Sequence, residues 1–184
     1  MHIKRYNRIM MRDALIQRLR EIEVVHKKRV VLRSGIVSDF YCDIKKAFGY
    51  PDILNALADE IGKALPASVT CIAASGYGGL PLGSVVASRF NLKFVAVRGV
   101  AKDHGKGGVI DGYLPKESDV TVIVDDVITS GSSITETLSA LEKIDVKVSS
   151  AIVAVKRGDP ELTIPYSYIF SIDEIVLETK GDTV

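Results

Sequence analysis

The chain lacks the marks of a membrane, secreted or metal-clip protein. Of 184 residues only two are cysteine and three are histidine. No Cys/His cluster has zinc spacing, so a structural zinc module is excluded. Cys42 and Cys71 each sit in a strand-like apolar run and read as reduced core residues. No apolar run approaches the roughly 20 residues of a membrane helix, so no membrane partner is expected. The opening "MHIKRYNRIMMRDALIQRLR" has no apolar signal-peptide core, and a cytoplasmic location is the expectation. Neither charge sign dominates, since 24 Lys and Arg face 23 Asp and Glu. With 47% apolar residues, the length fits a single domain with a real core, and no stretch reads as disordered.

Charge is uneven along the chain. Between positions 1 and 33 there are ten Lys or Arg and three acids. Leu15, Leu19 and Ile22 recur at i, i+4 and i+7, the spacing of an amphipathic helix with a solvated basic face. No helix-turn-helix or zinc module accompanies that face, so nucleic acid is not expected as a partner.

After this helix, "RVVLRSGIVSDFYCDIKK" is β-rich around a Ser-Gly turn and predicts a small hairpin. Pro51 opens "DILNALADEIGKAL", a predicted helix that closes before Pro66. Then come a buried strand "SVTCIAAS", a Gly-rich turn and helix "GYGGLPLGSVVASRF", and a strand "LKFVAV". A long polar loop follows, "RGVAKDHGKGGVIDGYLPKESD", and then a strand "VTVIVDD". The pattern ends with a helix "GSSITETLSALEKI", a strand "VKVSSAIVAVKRG" and a tail whose last six residues look frayed. Such alternation predicts an α/β fold with a mostly parallel sheet flanked by helices. Ligands in these sheets bind beyond the carboxyl ends of the strands, so every loop after a strand is a candidate.

The most informative loop lies in Val122 to Thr135, "VIVDDVITSGSSIT". Thr129, Ser130, Gly131, Ser132 and Ser133 stand at a helix start, where free N–H groups and the helix dipole favour an anion. The stretch is not a Walker A loop, having no GxxxxGK. Asp125 and Asp126 just before it would repel an anion unless they accept hydrogen bonds from neutral hydroxyls or sit near a cation. A sugar phosphate satisfies both halves: phosphate to the loop, vicinal ribose hydroxyls to the acids.

"VIVDDVITSGSSITET" resembles the phosphoribosyl diphosphate (PRPP) signature of the type I phosphoribosyltransferases. "RGVAKDHGKGG" resembles the catalytic loop of the orotate phosphoribosyltransferase branch, and "VLRSGIVSDFYCD" its N-terminal hood. The similarity runs from about Leu15 to Asp173, with the motifs in family order. It implies the type I fold as one domain: helix and hood at 1–48, a PRPP-binding α/β core at 49–178 and a tail at 179–184. The implied reaction moves ribose 5-phosphate from PRPP to orotate with Mg²⁺, giving orotidine 5'-monophosphate and pyrophosphate in pyrimidine biosynthesis. The metal is expected to come with PRPP, with no direct protein ligand.

The resemblance assigns Lys102, His104, Asp125 and Asp126 to catalysis, with Lys102 as acid for the departing pyrophosphate. PRPP would be held by Arg98, Lys102, His104 and the run Asp125, Asp126, Val127, Ile128, Thr129, Ser130, Gly131, Ser132 and Ser133. Orotate would meet Arg33, Phe40, Tyr41, Thr129 and Arg157, the last pairing with its carboxylate. Gly99, Gly105, Gly107 and Gly108 would let the loop close as a lid. In this family that loop serves the neighbouring subunit, which implies a homodimer.

Three positions depart from the enterobacterial-type pattern: Gly78 and Gly99 stand where lysines are common, and Arg33 replaces a lysine. Two pyrophosphate cations are therefore expected to be missing, although backbone N–H groups from Ser75 to Gly79 remain. A transferase for another base, such as a purine, would keep the PRPP loop without needing Arg157 and the hood. A PRPP-sensing regulator would need a DNA-binding domain, and the residues before Leu15 are too few for one.

Overall fold

The computed structural model describes residues 11–31, 37–98 and 109–176. Helix α1 (Arg12–Glu21) buries Leu15, Ile16 and Leu19, and Ile22 forms its C-cap. Asp13 in the first turn and Arg18 and Arg20 in the last complement the helix dipole. The basic face is engaged within the chain. Arg12 pairs with Glu174 at 2.5 Å and lies 4.8 Å over the Phe170 ring. Arg20 donates to the carbonyls of Ile175 and Glu174 at 3.1 and 2.8 Å. Arg18 meets Glu21 at 2.5 Å and Asp52 at 3.6 Å.

The expected hairpin forms from β1 (Val25–Val31) and β2 (Val37–Cys42), antiparallel with Val25 opposite Cys42. Its turn, with Arg33, lies outside the described residues. "DIKK" leaves the hairpin to enter a 3₁₀ helix, Ile44–Gly49. Pro51 opens α2 (Pro51–Ala64), where its missing N–H costs no helical bond. Ile53, Leu57 and Ile61 of α2 are fully buried.

The remaining strands form one sheet. In chain order these are β3 (Cys71–Ser75), β4 (Lys93–Val97), β5 (Ile110–Gly112), β6 (Thr121–Ile128), β7 (Val148–Lys156) and β8 (Tyr166–Ser171). Across the sheet the order is β5-β4-β3-β6-β7-β8, with β5 antiparallel and the other pairs parallel. Helices α3 (Gly76–Arg89) and α4 (Ser132–Glu142) follow β3 and β6. The apolar runs are continuous because both faces of the sheet are covered. Ile72, Val122, Val124 and Ile152 pack with α1, α2 and α3. Their neighbours Cys71, Ala73, Ile123 and Val153 pack with Ile134, Leu138 and Leu141 of α4. Strand order reverses between β3 and β6, so the carboxyl ends of these strands open a crevice at the centre of the sheet.

The structure adds elements to the predicted pattern. The long polar loop contains β5, three residues that pair with β4. The tail carries β8 and a one-turn helix α5 (Ile172–Ile175), closed by a capping box between Ser171 and Glu174. The expected frayed end lies outside the described residues. Cys42 and Cys71 are free and buried, and burial pushes both thiols up to about 11. Among the described residues no helix is long and apolar enough to cross a membrane.

Candidate functional site

Strand β6 delivers the carboxylate pair to the crevice. Four buried residues, Thr121 to Val124, lead to Asp125, which is only 6% exposed. Its neighbour Asp126 is half-buried. Local hydrogen bonds fix both: Asp126 N–H donates to Asp125 Oδ1 at 2.9 Å, and Val127 N–H donates to Asp126 Oδ1 at 2.8 Å. The two acids meet different helices. Asp125 receives a hydrogen bond from Ser133 in the first turn of α4. The Asp126 carboxylate lies against Gly78 in the first turn of α3, where an added Cβ would come within 2.1 Å of it.

Burial and then the charge of Asp126 raise the Asp125 carboxyl to about 7, while the Ser133 bond opposes the shift. Near neutral pH Asp125 is therefore protonated for part of the time, and the pair carries less than two negative charges. That reduces its repulsion of an anion and leaves oxygens that accept from, or donate to, a hydroxyl.

The loop after β6 is shaped for a small anion. Gly131 caps α4 with φ +76°, a left-handed conformation that side chains disfavour. A Cβ there would also stand 2.6 Å from Leu162. A concavity of about 120 Å³ is lined by Asp125 and by Val127 through Ile134. Ser130 and Ser132 share a hydrogen bond of 2.8 Å at its rim. Val127 and Ile128 send their side chains to the two hydrophobic cores, so their part in the loop is played by backbone.

The first turn of α3 faces the same crevice. The expected Gly-rich turn is already helical from Gly76, so the N–H groups it offers are the unpaired ones of a helix start. Ser75, the residue before it, shares a 2.7 Å hydrogen bond with Thr137 of α4. Tyr77 is 94% exposed at this mouth. The sequence offered one signal for it, an aromatic ring set between glycines in "SGYGGLP".

The end of β7 joins the hood to the core. The N–H groups of Arg157 and Gly158 both donate to the Ile128 carbonyl, at 2.8 and 3.2 Å, which places Arg157 beside the Thr129 loop. Its guanidinium Nη2 donates to the carbonyl of Phe40 in β2, and its Nε is buried with no hydrogen-bond partner among the described residues. Phe40 and Tyr41 are consecutive in β2, so strand alternation sends their side chains to opposite faces. Phe40 is the more enclosed, and Tyr41 is 39% exposed.

Arg98 has an ion-pair partner of its own. At the end of β4 it forms a forked pair with Asp111, with Nε 2.5 Å from Oδ2. It lines a separate cavity of about 360 Å³ on the α4 side with Ser75, Thr137 and Lys143. Thus the structure brings together Asp125, Asp126, Thr129, Ser130, Gly131, Ser132, Ser133, Phe40 and Arg157, while Arg98 borders a cavity that reaches Ser75 at the start of α3. Arg33, Gly99, Lys102, His104, Gly105, Gly107 and Gly108 lie outside the described residues.

Sequence reasoning also missed Lys45, in the 3₁₀ helix, whose Nζ lies 3.7 Å from Asp126 Oδ2 and 3.3 Å from Asp43 Oδ1. No periodicity marks it, because "DIKK" reads as the end of a hairpin.

Comparison with known proteins points the same way. The phosphoribosyl transferase domain family matches residues 47–182. An orotate phosphoribosyltransferase of Methanopyrus kandleri is 36% identical over 151 residues, covering 82% of this chain and 81% of that protein. One from Lactobacillus johnsonii is 29% identical over 180 residues, 91% of this chain and 84% of that protein. The crystal structure of orotate phosphoribosyltransferase from Aeropyrum pernix superposes with a TM-score of 0.77 at 25% identity, covering 88% of this chain and 95% of that one.

Proposed function

From the finding that this chain belongs to the phosphoribosyl transferase domain family, we propose that it transfers ribose 5-phosphate from PRPP to orotate. The products are orotidine 5'-monophosphate and pyrophosphate, in the route to pyrimidine nucleotides. The observation that carries this reading is a carboxylate pair, Asp125 buried and Asp126 half-buried, set between two helix starts, one of them lined by small hydroxyls. Relatives of 29% and 36% identity that cover most of the chain are named as orotate phosphoribosyltransferases, which supports the choice of base.

The 5-phosphate seats on the loop Thr129 to Ser133, where backbone and hydroxyl donors converge at the positive end of α4. Asp125 and Asp126 take the ribose 2- and 3-hydroxyls and fix the sugar between the two helix starts. The diphosphate extends toward the first turn of α3. Breaking the C1–O bond leaves positive charge on the ribose and negative charge on pyrophosphate. The nearby carboxylates stabilise the former, and the α3 N–H groups the latter. Arg157 holds the orotate carboxylate, its Nε having no hydrogen-bond partner among the described residues. Lys102 and His104 complete the leaving-group side, Lys102 as the acid, by the resemblance of their loop.

Mg²⁺ fits this site because the acid pair orients the ribose hydroxyls and lowers the positive charge on that side, leaving the ion to PRPP oxygens. We propose that PRPP itself holds the ion, whose chemistry is neutralisation of the departing diphosphate. A homodimer with shared sites is the proposed assembly, on the resemblance of the loop that contains Lys102 and His104, and the cytoplasm the proposed location.

The test is turnover with PRPP, Mg²⁺ and each of orotate, uracil, adenine and hypoxanthine. Loss of orotate alone is expected, and loss of adenine or hypoxanthine alone would replace this reading with a purine transferase.

A further inference from the structure

We propose that Lys45 is a PRPP-binding residue that supplies, from the 3₁₀ helix, the diphosphate cation that position 78 lacks. The inference rests on the proposed donor and goes beyond it by assigning a group outside the family's motifs. Three observations carry it. At Gly78 the space for a side chain is filled by the Asp126 carboxylate, 2.1 Å from where a Cβ would stand. A lysine at 78 is therefore incompatible with Asp126 as it is placed here. On its other side the same carboxylate faces Lys45 Nζ at 3.7 Å. The ammonium thus reaches the edge of the crevice next to the α3 helix start, where the diphosphate is placed.

The third observation is unspent bonding capacity. An ammonium has three donors. The two carboxylates near Lys45 lie at 3.3 and 3.7 Å, looser than the 2.7–2.9 Å usual for charge-assisted bonds. Its side chain is 43% exposed, so a ligand can approach. Burial works against its charge, yet Asp126 and Asp43 outweigh burial and hold its pKa above the ordinary lysine value. It is charged wherever the enzyme works. In the free protein it offsets part of the negative charge of the acid pair, and on binding it adds a donor to the diphosphate.

The test compares Lys45→Met, which keeps length and loses charge, with Lys45→Arg. Binding of inorganic pyrophosphate and of ribose 5-phosphate to the free protein is measured by calorimetry, along with KM for PRPP and orotate. Lys45→Met is expected to weaken pyrophosphate and raise the KM for PRPP by about tenfold to a hundredfold. Ribose 5-phosphate binding, the KM for orotate and Tm should hold, and Lys45→Arg should stay within about threefold of the parent. Pyrophosphate binding unchanged within about twofold in Lys45→Met overturns the proposal. Equal weakening of pyrophosphate, ribose 5-phosphate and orotate also overturns it, since that is loss of structure. A parent protein that binds pyrophosphate through Lys45 but does not consume orotate upholds this assignment and refutes the choice of base.

Discussion

Replacing Asp125 with Asn should make the protein more stable at alkaline pH and less active, and the gain in stability should grow with pH. Asp125 is 6% exposed, and burial and then Asp126 raise its carboxyl from 3.8 to about 7. The folded state therefore binds more protons than the unfolded state between these values, so stability falls as pH rises through that window. Full ionisation of such a group at pH 8 withdraws at most about 4 kcal/mol. Asparagine keeps the oxygen that accepts from Asp126 N–H, at 2.9 Å in the parent. It must also house an amide NH₂ beside Ser133, which takes back part of the gain. A net stabilisation of about 1–2 kcal/mol at pH 8 is expected, or roughly 2–6 °C in Tm for a domain of this size. At pH 5 that gain should be lost and the variant should be the less stable of the two by about 1 kcal/mol. Paired thermal and urea unfolding across pH 5–8 measures this, and kinetics should show kcat/KM for PRPP lowered by about tenfold or more. A stability difference that is independent of pH, or a variant destabilised at pH 8, would refute the reasoning.

Gly131→Ala should cost about 1–3 kcal/mol and raise the KM for PRPP, because φ is +76° and the new methyl stands 2.6 Å from Leu162; denaturant unfolding and steady-state kinetics check both. Arg157→Ala should raise the KM for orotate by about tenfold or more with little change for PRPP, whereas a rise for PRPP alone would remove Arg157 from the base pocket. Asp119, at the opposite end of the sheet, accepts bonds from Lys116 N–H, Lys93 and Thr70 that hold its carboxyl well below the usual range. Its stabilisation is present above the ordinary aspartate pKa and fades as pH falls, so Asp119→Asn should lower Tm most at pH 7 and less below about pH 4. If two subunits share sites, mixing inactive Lys102→Ala with inactive Asp126→Asn should restore about a quarter of parent activity through hybrid dimers.

The parallel core was legible because its strands are apolar runs cut off by turn residues, and because Pro51 and the Ser-Gly start of α4 mark helix beginnings. β5 was not, since "IDG" has no period and becomes a strand only by pairing with β4. β8 sets aromatic rings at alternate positions in "YSYIFS", yet its pairing with β7 is a tertiary fact. In the site, the acid pair and hydroxyl loop are contiguous and could be read as one unit. Lys45 and Gly78 could not, because 33 positions separate them and Asp126 alone joins them in space. The basic face of the amino-terminal helix read as solvated, but Arg12 and Arg20 are tied to residues near Glu174.

The proposed transfer is tested most directly by mass-spectrometric detection of product after incubating the protein with PRPP, orotate and Mg²⁺. Orotidine 5'-monophosphate and pyrophosphate should appear in equal amounts, and Asp126→Asn should nearly abolish both. Unchanged orotate beside intact PRPP, or product formed at the parent rate by Asp126→Asn, would contradict it.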